Sequence, residues 1–309
     1  MPDCDGDRGN IVFWNDKTNK AEILKAQEVF ALSVMAETAF LYHQGKITND
    51  TKTAVVVNDP TSMRIDKICK SFGIELFRAE VGEANVVNLA REKRQQGYTV
   101  RILGEGSNGG NITHPAAVRD PLNTLFALIK LLTIKDTDGK KGLFHIWCSL
   151  SGQKNLYRDN FTLSDVMAAL PVFTTTGVSE KRAVTKVTQN DHAKLKAAYQ
   201  RIFEKEWEKK KNALKKKYGI CTYEAICNNG TKETRNVNDF SISGKGGLKI
   251  LFKDNNNEQL AFIWMRGSGT EPVFRVMCDF KGDNKKAEAR LLAWHSKMIK
   301  KADKLSVRV

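Results

Sequence analysis

The chain has 309 residues, 41% of them hydrophobic and 28% charged, which is enough apolar material for two or three folded units. No apolar run reaches the roughly 20 residues of a membrane-spanning helix. The first ten residues hold three aspartates and no apolar signal segment. We therefore expect a cytoplasmic protein that has no membrane partner.

The formal net charge of +15 raises the question of nucleic-acid binding. Much of the excess lies between Glu204 and Lys217, where Lys and Glu alternate as on a solvated helix face. This distribution argues against a nucleic-acid partner. The six cysteines contain no CxxC pair, which argues against a zinc ribbon and against a redox dithiol.

The hydrophobic pattern predicts alternating strands and helices over the first 133 residues. A short apolar run, Ile11–Trp14, precedes a helix predicted over residues 21–44. Strands are then predicted at 53–57, 75–79 and 99–103, and helices at 63–71, 83–95 and 115–132. Such alternation is typical of an α/β domain in which helices cover a mixed or parallel sheet and functional loops follow the strands.

The second half of the chain predicts a smaller α+β domain. The pattern indicates, in order, a polar break at 135–142, an apolar segment at 143–150, a helix at 162–170, an extended linker at 171–190, a long helix at 191–217, strands with Asn- and Gly-rich turns over 220–282, and a last helix at 285–301. The predicted fold class is therefore a mixed-sheet α/β domain followed by a smaller α+β domain.

The first motif with chemical content is the acidic loop, Asp3-Cys4-Asp5-Gly6-Asp7-Arg8. Three carboxylates at alternate positions of a glycine-containing turn can converge on one hard cation, and Mg²⁺ prefers oxygen ligands. We expect Asp3, Asp5 and Asp7 to bind Mg²⁺, and Arg8 to bind a phosphate that shares the metal. An acidic turn without a ligand is the alternative. An EF-hand calcium loop fails, because its sixth position would be Arg8 and not Gly.

The second motif is the glycine-rich turn, residues 104–111 (Gly-Glu-Gly-Ser-Asn-Gly-Gly-Asn), at the end of an apolar run. A carboxylate and a hydroxyl that project from such a turn can hydrogen-bond adjacent sugar hydroxyls, because the glycines let the backbone approach the ligand. Glu105 and Ser107 are therefore candidate sugar ligands. A flexible polar turn is the alternative.

The third motif is the phosphate loop, Arg266-Gly267-Ser268-Gly269-Thr270-Glu271-Pro272, with Arg275 close behind it. Two glycines free successive backbone N–H groups to form a concave anion nest. Side chains can add donors around the same oxyanion, and we expect the phosphate ligands to be Arg266, Ser268, Gly269, Thr270 and Arg275. A structural turn is the alternative, but it does not explain the two flanking arginines.

Together the three motifs have the order and spacing of the phosphohexomutase superfamily, the phosphoglucomutases and phosphomannomutases, which the chain resembles from Asp3 almost to its end. The resemblance makes residues 1–47 the end of a second domain with its metal loop, 48–172 a third domain that recognises the sugar, and 173–309 a linker and a fourth domain that binds phosphate. The turn before Glu83 resembles the family's other sugar-specificity loop and adds Glu83 to the substrate ligands.

The resemblance implies a hexose phosphomutase, an intramolecular phosphotransferase that interconverts sugar 1-phosphate and 6-phosphate through a phosphoserine and a bisphosphate, with Mg²⁺ as cofactor and Arg8 in the catalytic machinery. The family's serine loop of the Thr/Ser-Ala-Ser-His-Asn type is absent from this sequence, so this chain is expected to be inactive by itself. Asn108 interrupts the usual sugar loop, and no His follows it. A non-catalytic phosphosugar-binding protein is the alternative.

A chain that begins inside the second domain would leave the helix at 21–44 without a partner for its apolar face. Exposed apolar surface of that kind favours association or disorder. We therefore expect residues 1–47 to be poorly ordered or to form the contact of an oligomer.

Overall fold

The computed structural model describes residues 3–268 and 272–307, which form two compact units. The first unit comprises the residues up to Arg78 together with Gly82–Pro171. The second comprises the tripeptide Ala79–Val81 and the chain from Val172 onward. In the described part, every helix is too short or too polar to cross a membrane.

The elements up to Pro171 alternate between strand and helix, as the sequence predicts. They are β1 (Val12–Asn15), β2 (Lys20–Ile23), α1 (Ala26–His43), β3 (Ala54–Asn58), α2 (Arg64–Phe72), β4 (Glu75–Ala79), α3 (Glu83–Gln95), β5 (Ile102–Glu105), β6 (Gly110–Thr113), α4 (Pro121–Thr133), α5 (Leu143–Leu150) and α6 (Leu163–Ala168). The sheet order is β4-β3-β5-β6, with β3 and β5 parallel and β5 and β6 antiparallel. The predicted mixed-sheet α/β class is confirmed.

Helix α1 is the centre of the first unit's core. Thirteen of its eighteen residues are buried, and the helix packs against α2, α4, α5 and β5. The prediction that this helix lacks a partner for its apolar face is therefore wrong. Residues 3–47 share one hydrophobic core with the segment that follows them, and the three-way division of the chain at 47 and 172 stays a prediction.

The predicted helix at 21–44 begins five residues late. Residues Lys20–Ile23 form β2, which pairs antiparallel with β1 in a separate two-stranded sheet. A turn with Asn19 at positive φ joins the two strands, and asparagine tolerates that conformation better than most residues. Lys25 is the N-cap of α1, and the carboxylate of Glu28 in the first turn accepts from the Lys25 N–H at 2.9 Å, which is one half of a capping box.

Exposed apolar side chains in this unit lie mainly on the β1–β2 hairpin and on α4. Val12, Trp14 and Ile23 are exposed on the hairpin. On α4 the exposed residues follow the i, i+3, i+4, i+7 spacing of one helix face: Leu122, Leu125, Phe126 and Ile129. The unpartnered apolar surface that the sequence assigned to α1 is therefore found on these two other elements.

The second unit is an antiparallel sheet with two long helices. Its elements are β7 (Phe173–Thr175), β8 (Val184–Lys186), α7 (His192–Tyr218), β9 (Thr222–Asn229), β10 (Lys232–Arg235), β11 (Gly247–Lys253), β12 (Gln259–Gly267), β13 (Val273–Lys281) and α8 (Lys285–Ser306). The strand order is β10-β9-β11-β12-β13-β7, and β8 also pairs with β13. The segment 171–190, predicted as an extended linker, thus supplies two strands to the sheet.

Candidate functional site

The acidic loop brings its three aspartates together. In the first unit, carboxylate oxygens of Asp3, Asp5 and Asp7 all lie within 4.8 Å of one another, and Asp5 is exposed. The loop closes on itself through the Asp3 N–H, which donates to the Arg8 carbonyl at 3.0 Å. Gly6 takes φ +74° in the turn, a conformation that L side chains rarely adopt. The three side chains predicted as metal ligands therefore share one small volume.

Arg8 lies against the carboxylates that surround it. Its Nε donates to Asp3 Oδ2 at 2.6 Å and to Asp7 Oδ1 at 3.2 Å, and its backbone N–H donates to Asp3 Oδ1 at 3.1 Å. Partial burial raises the pKa of Asp3, but the hydrogen bonds from Arg8 and its positive charge outweigh burial, so the pKa lies below its usual value. Arg8 thus favours the charged form of Asp3, as a cation site requires.

Arg119 links the acidic loop to Glu83, and sequence reasoning missed it. Its Nη2 lies 2.9 Å from Asp7 Oδ2, and its Nε lies 2.6 Å from Glu83 Oε2. Glu83 stands in the first turn of α3, where the helix dipole stabilises a carboxylate. The candidate metal ligands and the candidate sugar-binding glutamate are therefore joined by one guanidinium. The sequence feature that could have identified Arg119 is its position directly before Asp120-Pro121, which is the capped start of α4.

The glycine-rich turn buries the two side chains predicted to bind sugar. Glu105 and Ser107 are each 5% exposed. Glu105 Oε1 accepts from Asn58 Nδ2 at 3.2 Å and from the Gly82 N–H at 2.8 Å, and Oε2 accepts from Asn108 Nδ2 at 3.0 Å. Asn58 Nδ2 also donates to Ser107 Oγ at 2.8 Å. Asn58, a second residue that sequence reasoning missed, ends the strand parallel to β5 and so meets this turn at the same sheet edge.

Close packing explains two of the glycines in this turn. A Cβ at Gly106 would lie 2.8 Å from Phe30 Cδ1, and one at Gly110 would lie 2.5 Å from Arg119 Cδ. Real Cβ atoms almost never approach that closely. The glycines thus allow the turn to pack on α1 and on Arg119, the arginine that contacts the acidic loop. Their role in the packing of the site is independent of any role in binding a ligand.

In the second unit, the phosphate loop begins and ends on paired strands. Arg266 on β12 and Arg275 on β13 are direct cross-strand partners, so their Cβ atoms lie about 5 Å apart on one face of the sheet. Arg266 Nε donates to Glu80 Oε1 at 2.9 Å, and the Ser268 N–H donates to the Val273 carbonyl at 2.8 Å. Gly269 and Thr270 lie outside the described residues. Their predicted roles stay predictions.

His192 packs under the start of the phosphate loop. A Cβ at Gly267 would lie 2.0 Å from its Cε1, so any larger residue there would force the imidazole to move, and the imidazole meets Phe274 edge to face at 5.0 Å. Burial and the positive charges of Lys196, Lys245 and Arg266 lower the pKa of His192 against the opposing effect of Asp191. A neutral ring beside two facing arginines adds no further positive charge to this part of the sheet.

Part of the first unit matches a known protein family. Residues 31–144 match the sequence profile described as phosphoglucomutase/phosphomannomutase, alpha/beta/alpha domain III. No curated protein matches the chain. The matched range contains α1 from Ala31 onward, the whole four-stranded sheet, Glu83, the glycine-rich turn and Arg119.

Solved structures give the same relationship at the level of the fold. The open form of pp63/parafusin, a phosphoglucomutase from Paramecium, is 15% identical and covers 96% of this chain and 44% of its own, with a TM-score of 0.51. A phosphoglucomutase/phosphomannomutase family protein from Burkholderia thailandensis is also 15% identical, with coverages of 96% and 45% and a TM-score of 0.49.

N-acetylphosphoglucosamine mutase from Aspergillus fumigatus, in complex with GlcNAc-6P and magnesium, is 12% identical, with coverages of 96% and 47% and a TM-score of 0.44. The chain thus spans less than half the length of these solved relatives. Residues 31–144 therefore match a phosphohexomutase third domain, and the chain shares the fold of parafusin.

Proposed function

We propose that this chain supplies the metal loop, the sugar-recognition loop and the phosphate loop of a hexose phosphomutase, which interconverts sugar 1-phosphates and 6-phosphates through a phosphoserine and a bisphosphate. The observation that carries the proposal is the convergence of Asp3, Asp5 and Asp7 in the unit that contains the matched third domain. The substrate is a hexose phosphate, and the protein acts in the cytoplasm without nucleic-acid or membrane partners.

The donor set of the acidic loop fits Mg²⁺. It consists of carboxylate oxygens alone, which are hard ligands, and the exposed Asp5 leaves room for water or a phosphate oxygen to complete the coordination. When bound, Mg²⁺ would neutralise negative charge on the phosphoryl group in transfer. Arg8 and Arg119 hold Asp3 and Asp7 in place, so the loop is positioned before a cation arrives.

Glu105 and Ser107 retain limited capacity for a sugar diol. Each carboxylate oxygen has two acceptor positions. Both positions on Glu105 Oε1 are used inside the chain, while Oε2 accepts only from Asn108 among the contacts of this turn. Ser107 Oγ accepts from Asn58 and keeps its own O–H to donate. The pair therefore offers one acceptor and one donor side by side, which suits two neighbouring hydroxyls of a hexose.

The metal proposal is tested by titrating Mn²⁺ and Mg²⁺ into the chain and its Asp5→Asn variant. Mn²⁺ binding is read by electron paramagnetic resonance, and Mg²⁺ binding by competition with Mn²⁺. We expect one site per chain, and about a 100-fold weaker affinity in the variant because a coordinating carboxylate is lost. Asp138→Asn, an exposed aspartate of another turn, is the matched control and should bind as tightly as the unaltered chain. Equal affinity in the Asp5 variant would refute the metal site.

The activity proposal is tested in a coupled assay with glucose 1-phosphate or mannose 1-phosphate and a bisphosphate activator. We expect no turnover by the 309-residue chain alone, because no serine loop of the Thr/Ser-Ala-Ser-His-Asn type occurs in this sequence. A chain extended upstream by a serine loop should turn over, and Asp5→Asn should abolish that activity. Robust turnover by the 309-residue chain contradicts the proposed inactivity. Hexose phosphate binding without turnover by any extended chain favours a non-catalytic phosphosugar-binding protein.

A further inference from the structure

A crevice in the first unit is lined by cationic side chains and by none of the residues assigned so far. It consists of two cavities, of about 590 and 380 Å³, which share Arg94 and His114. Lys46 and Arg101 line the larger cavity, and Arg91 lines the smaller one. We call these five side chains and the space between them the cationic crevice. Arg101 directly precedes β5, whereas Glu105 ends it, so the crevice and the glycine-rich turn lie at opposite ends of that strand.

The crevice has no acidic lining. Among the described residues that line either cavity, none is Asp or Glu. Two carboxylates contact residues of the lining. Glu37 accepts from Arg101 Nε at 2.8 Å and also pairs with Lys130. Glu75 accepts from the Tyr98 hydroxyl at 2.7 Å. Each of these carboxylates is already engaged. A concave site with one sign of charge concentrates the field and attracts counter-ions.

Arg94 carries a buried hydrogen-bond donor that the described residues leave unsatisfied. Its Nη2 donates to the Val100 carbonyl at 2.7 Å, but its Nε is buried and has no hydrogen-bond partner among the described residues. A buried donor without an acceptor costs free energy that a bound acceptor would restore. Burial and the charge of Arg91 lower the pKa of Arg94, and burial, Arg94 and Arg101 lower the pKa of His114. Positive charge is therefore present here in excess of what the protein neutralises.

We propose that the cationic crevice binds a small organic phosphate, with the phosphate on Arg94 and its carbon skeleton against the apolar floor. The guanidinium fork matches phosphate oxygens, and Lys46, Arg101 and His114 surround the same space. Phe40, Leu41 and Val100 supply the apolar floor. The volume is that of a small-molecule site, and the cations surround a cavity rather than forming the extended stripe that a nucleic acid needs.

The test uses inorganic phosphate and glycerol 3-phosphate as probes of the full 309-residue chain, titrated at constant ionic strength. NMR follows the Arg94 Nε–H and the His114 ring. We expect saturable shifts at both groups, larger affinity for the organic phosphate, and a rise in the pKa of His114 on binding because a dianion stabilises the imidazolium form. Arg94→Gln should weaken binding about tenfold or more, since it removes the charge and the fork together.

Two further variants separate a binding defect from a folding defect. Arg94→Lys keeps the charge and should recover part of the affinity. Lys46→Gln changes an exposed side chain and should weaken binding about threefold with the fold intact. Shifts that grow without saturation, equal affinity in Arg94→Gln, or tighter binding of succinate than of phosphate would overturn the proposal.

The crevice can be tested independently of the proposed mutase function. Asp5→Asn and Arg266→Gln alter the acidic loop and the phosphate loop, and both should leave the shifts at Arg94 and His114 unchanged. Conversely, Arg94→Gln should leave Mn²⁺ binding at the acidic loop unchanged. Loss of the crevice signals in Asp5→Asn or Arg266→Gln would mean that the probes report on those loops, and this would also overturn the proposal.

Discussion

The two units solve the problem of burying a sheet in different ways. Among the described residues, ten exposed large apolar side chains lie in the first unit and four in the second. The second unit covers its own sheet with α7 and α8 and buries a histidine, His295, together with polar groups such as Glu288 and Lys196. The first unit buries α1 but exposes apolar side chains on the β1–β2 hairpin and on α4. An ion pair between Lys17 and Asp165 connects this hairpin to α6. We therefore expect the second unit to respond to pH through the buried His295, and the first through Asp165, the buried carboxylate that pairs with its hairpin.

The largest expected effect concerns His295 in α8. Its Nδ1 lies 2.8 Å from the Tyr199 hydroxyl and its Nε2 lies 3.2 Å from the Trp264 carbonyl, and the side chain is 1% exposed. Burial lowers its pKa to about 3, with the Trp264 carbonyl acting in the opposite direction. The unfolded chain takes up a proton at about pH 6.5, so the folded state loses about 1.4 kcal/mol per pH unit as the pH falls from about 6.5 toward 3.

Urea unfolding at pH 7 and pH 5, read by hydrogen exchange in peptides of each unit, measures this effect. The second unit should lose about 2 kcal/mol of its free energy of unfolding between the two pH values. His295→Gln should be less stable at pH 7, because it loses hydrogen bonds, but should keep only the smaller part of that pH-dependent loss, which the lowered pKa of His192 contributes. The control His43→Gln replaces a histidine that hydrogen-bonds at the surface and should keep the unaltered profile. A full loss in the His295 variant would assign the pH response to another group.

The next effect belongs to the first unit and to Asp165 in α6. Burial opposes its charge, but the Thr162 N–H, Arg158 and Lys17 outweigh burial and lower its pKa from 3.8 to about 2. Lys17 in the turn between β1 and β2 lies 3.0 Å from Asp165, so this contact holds the hairpin to α6. A depressed carboxyl pKa gives stability that is complete above about pH 4 and is lost as the pH falls through about 2.

Asp165→Asn should therefore reduce the stability of the first unit by roughly 2 kcal/mol at pH 7 and have little effect near pH 2. Urea unfolding across that pH range, with exchange read at peptides from β1 and β2, measures the change. Asp50→Asn, an exposed aspartate of the same unit, is the control and should match the unaltered chain at each pH. A loss that persists undiminished at pH 2 would show that the contact does not depend on the charge of Asp165.

Sequence patterns predicted the bounds of an element well where the hydrophobic period of its own residues determines the structure. β4 and α3 coincide with their predicted ranges, and α7 is displaced by a single residue. They failed where tertiary pairing decides the structure. β2 becomes a strand because it pairs with β1, β6 because it closes a hairpin on β5, and β7 because β13 lies beside it. None of these strands exceeds four residues, which is too short for a periodic pattern.

The candidate site shows the same difference between local features, which the sequence predicts, and long-range contacts, which it does not. Asp3, Asp5 and Asp7 were found from sequence because they are local to one loop. Asn58 and Arg119 were missed because their partners are far away along the chain: Asn58 lies 49 residues from Ser107, and Arg119 lies more than a hundred residues from Asp7. Such contacts depend on which strands are neighbours. Local composition could not supply that information.

The smallest expected effect tests whether the exposed faces of the first unit bind a second copy of the chain. Trp14 and Ile23 are 62% and 71% exposed on the β1–β2 hairpin, and Ile242 and Leu305 are 51% and 46% exposed in the second unit. Each apolar side chain removed from a contact weakens association by about 1 kcal/mol, or about fivefold. The Trp14→Ser, Ile23→Ser pair should therefore weaken self-association measured by sedimentation velocity, while the Ile242→Ser, Leu305→Ser pair should not. Equal sedimentation of the two double variants, or a monomer at every concentration, would contradict self-association through the hairpin. The two units would then differ only in the number of apolar side chains on their surfaces.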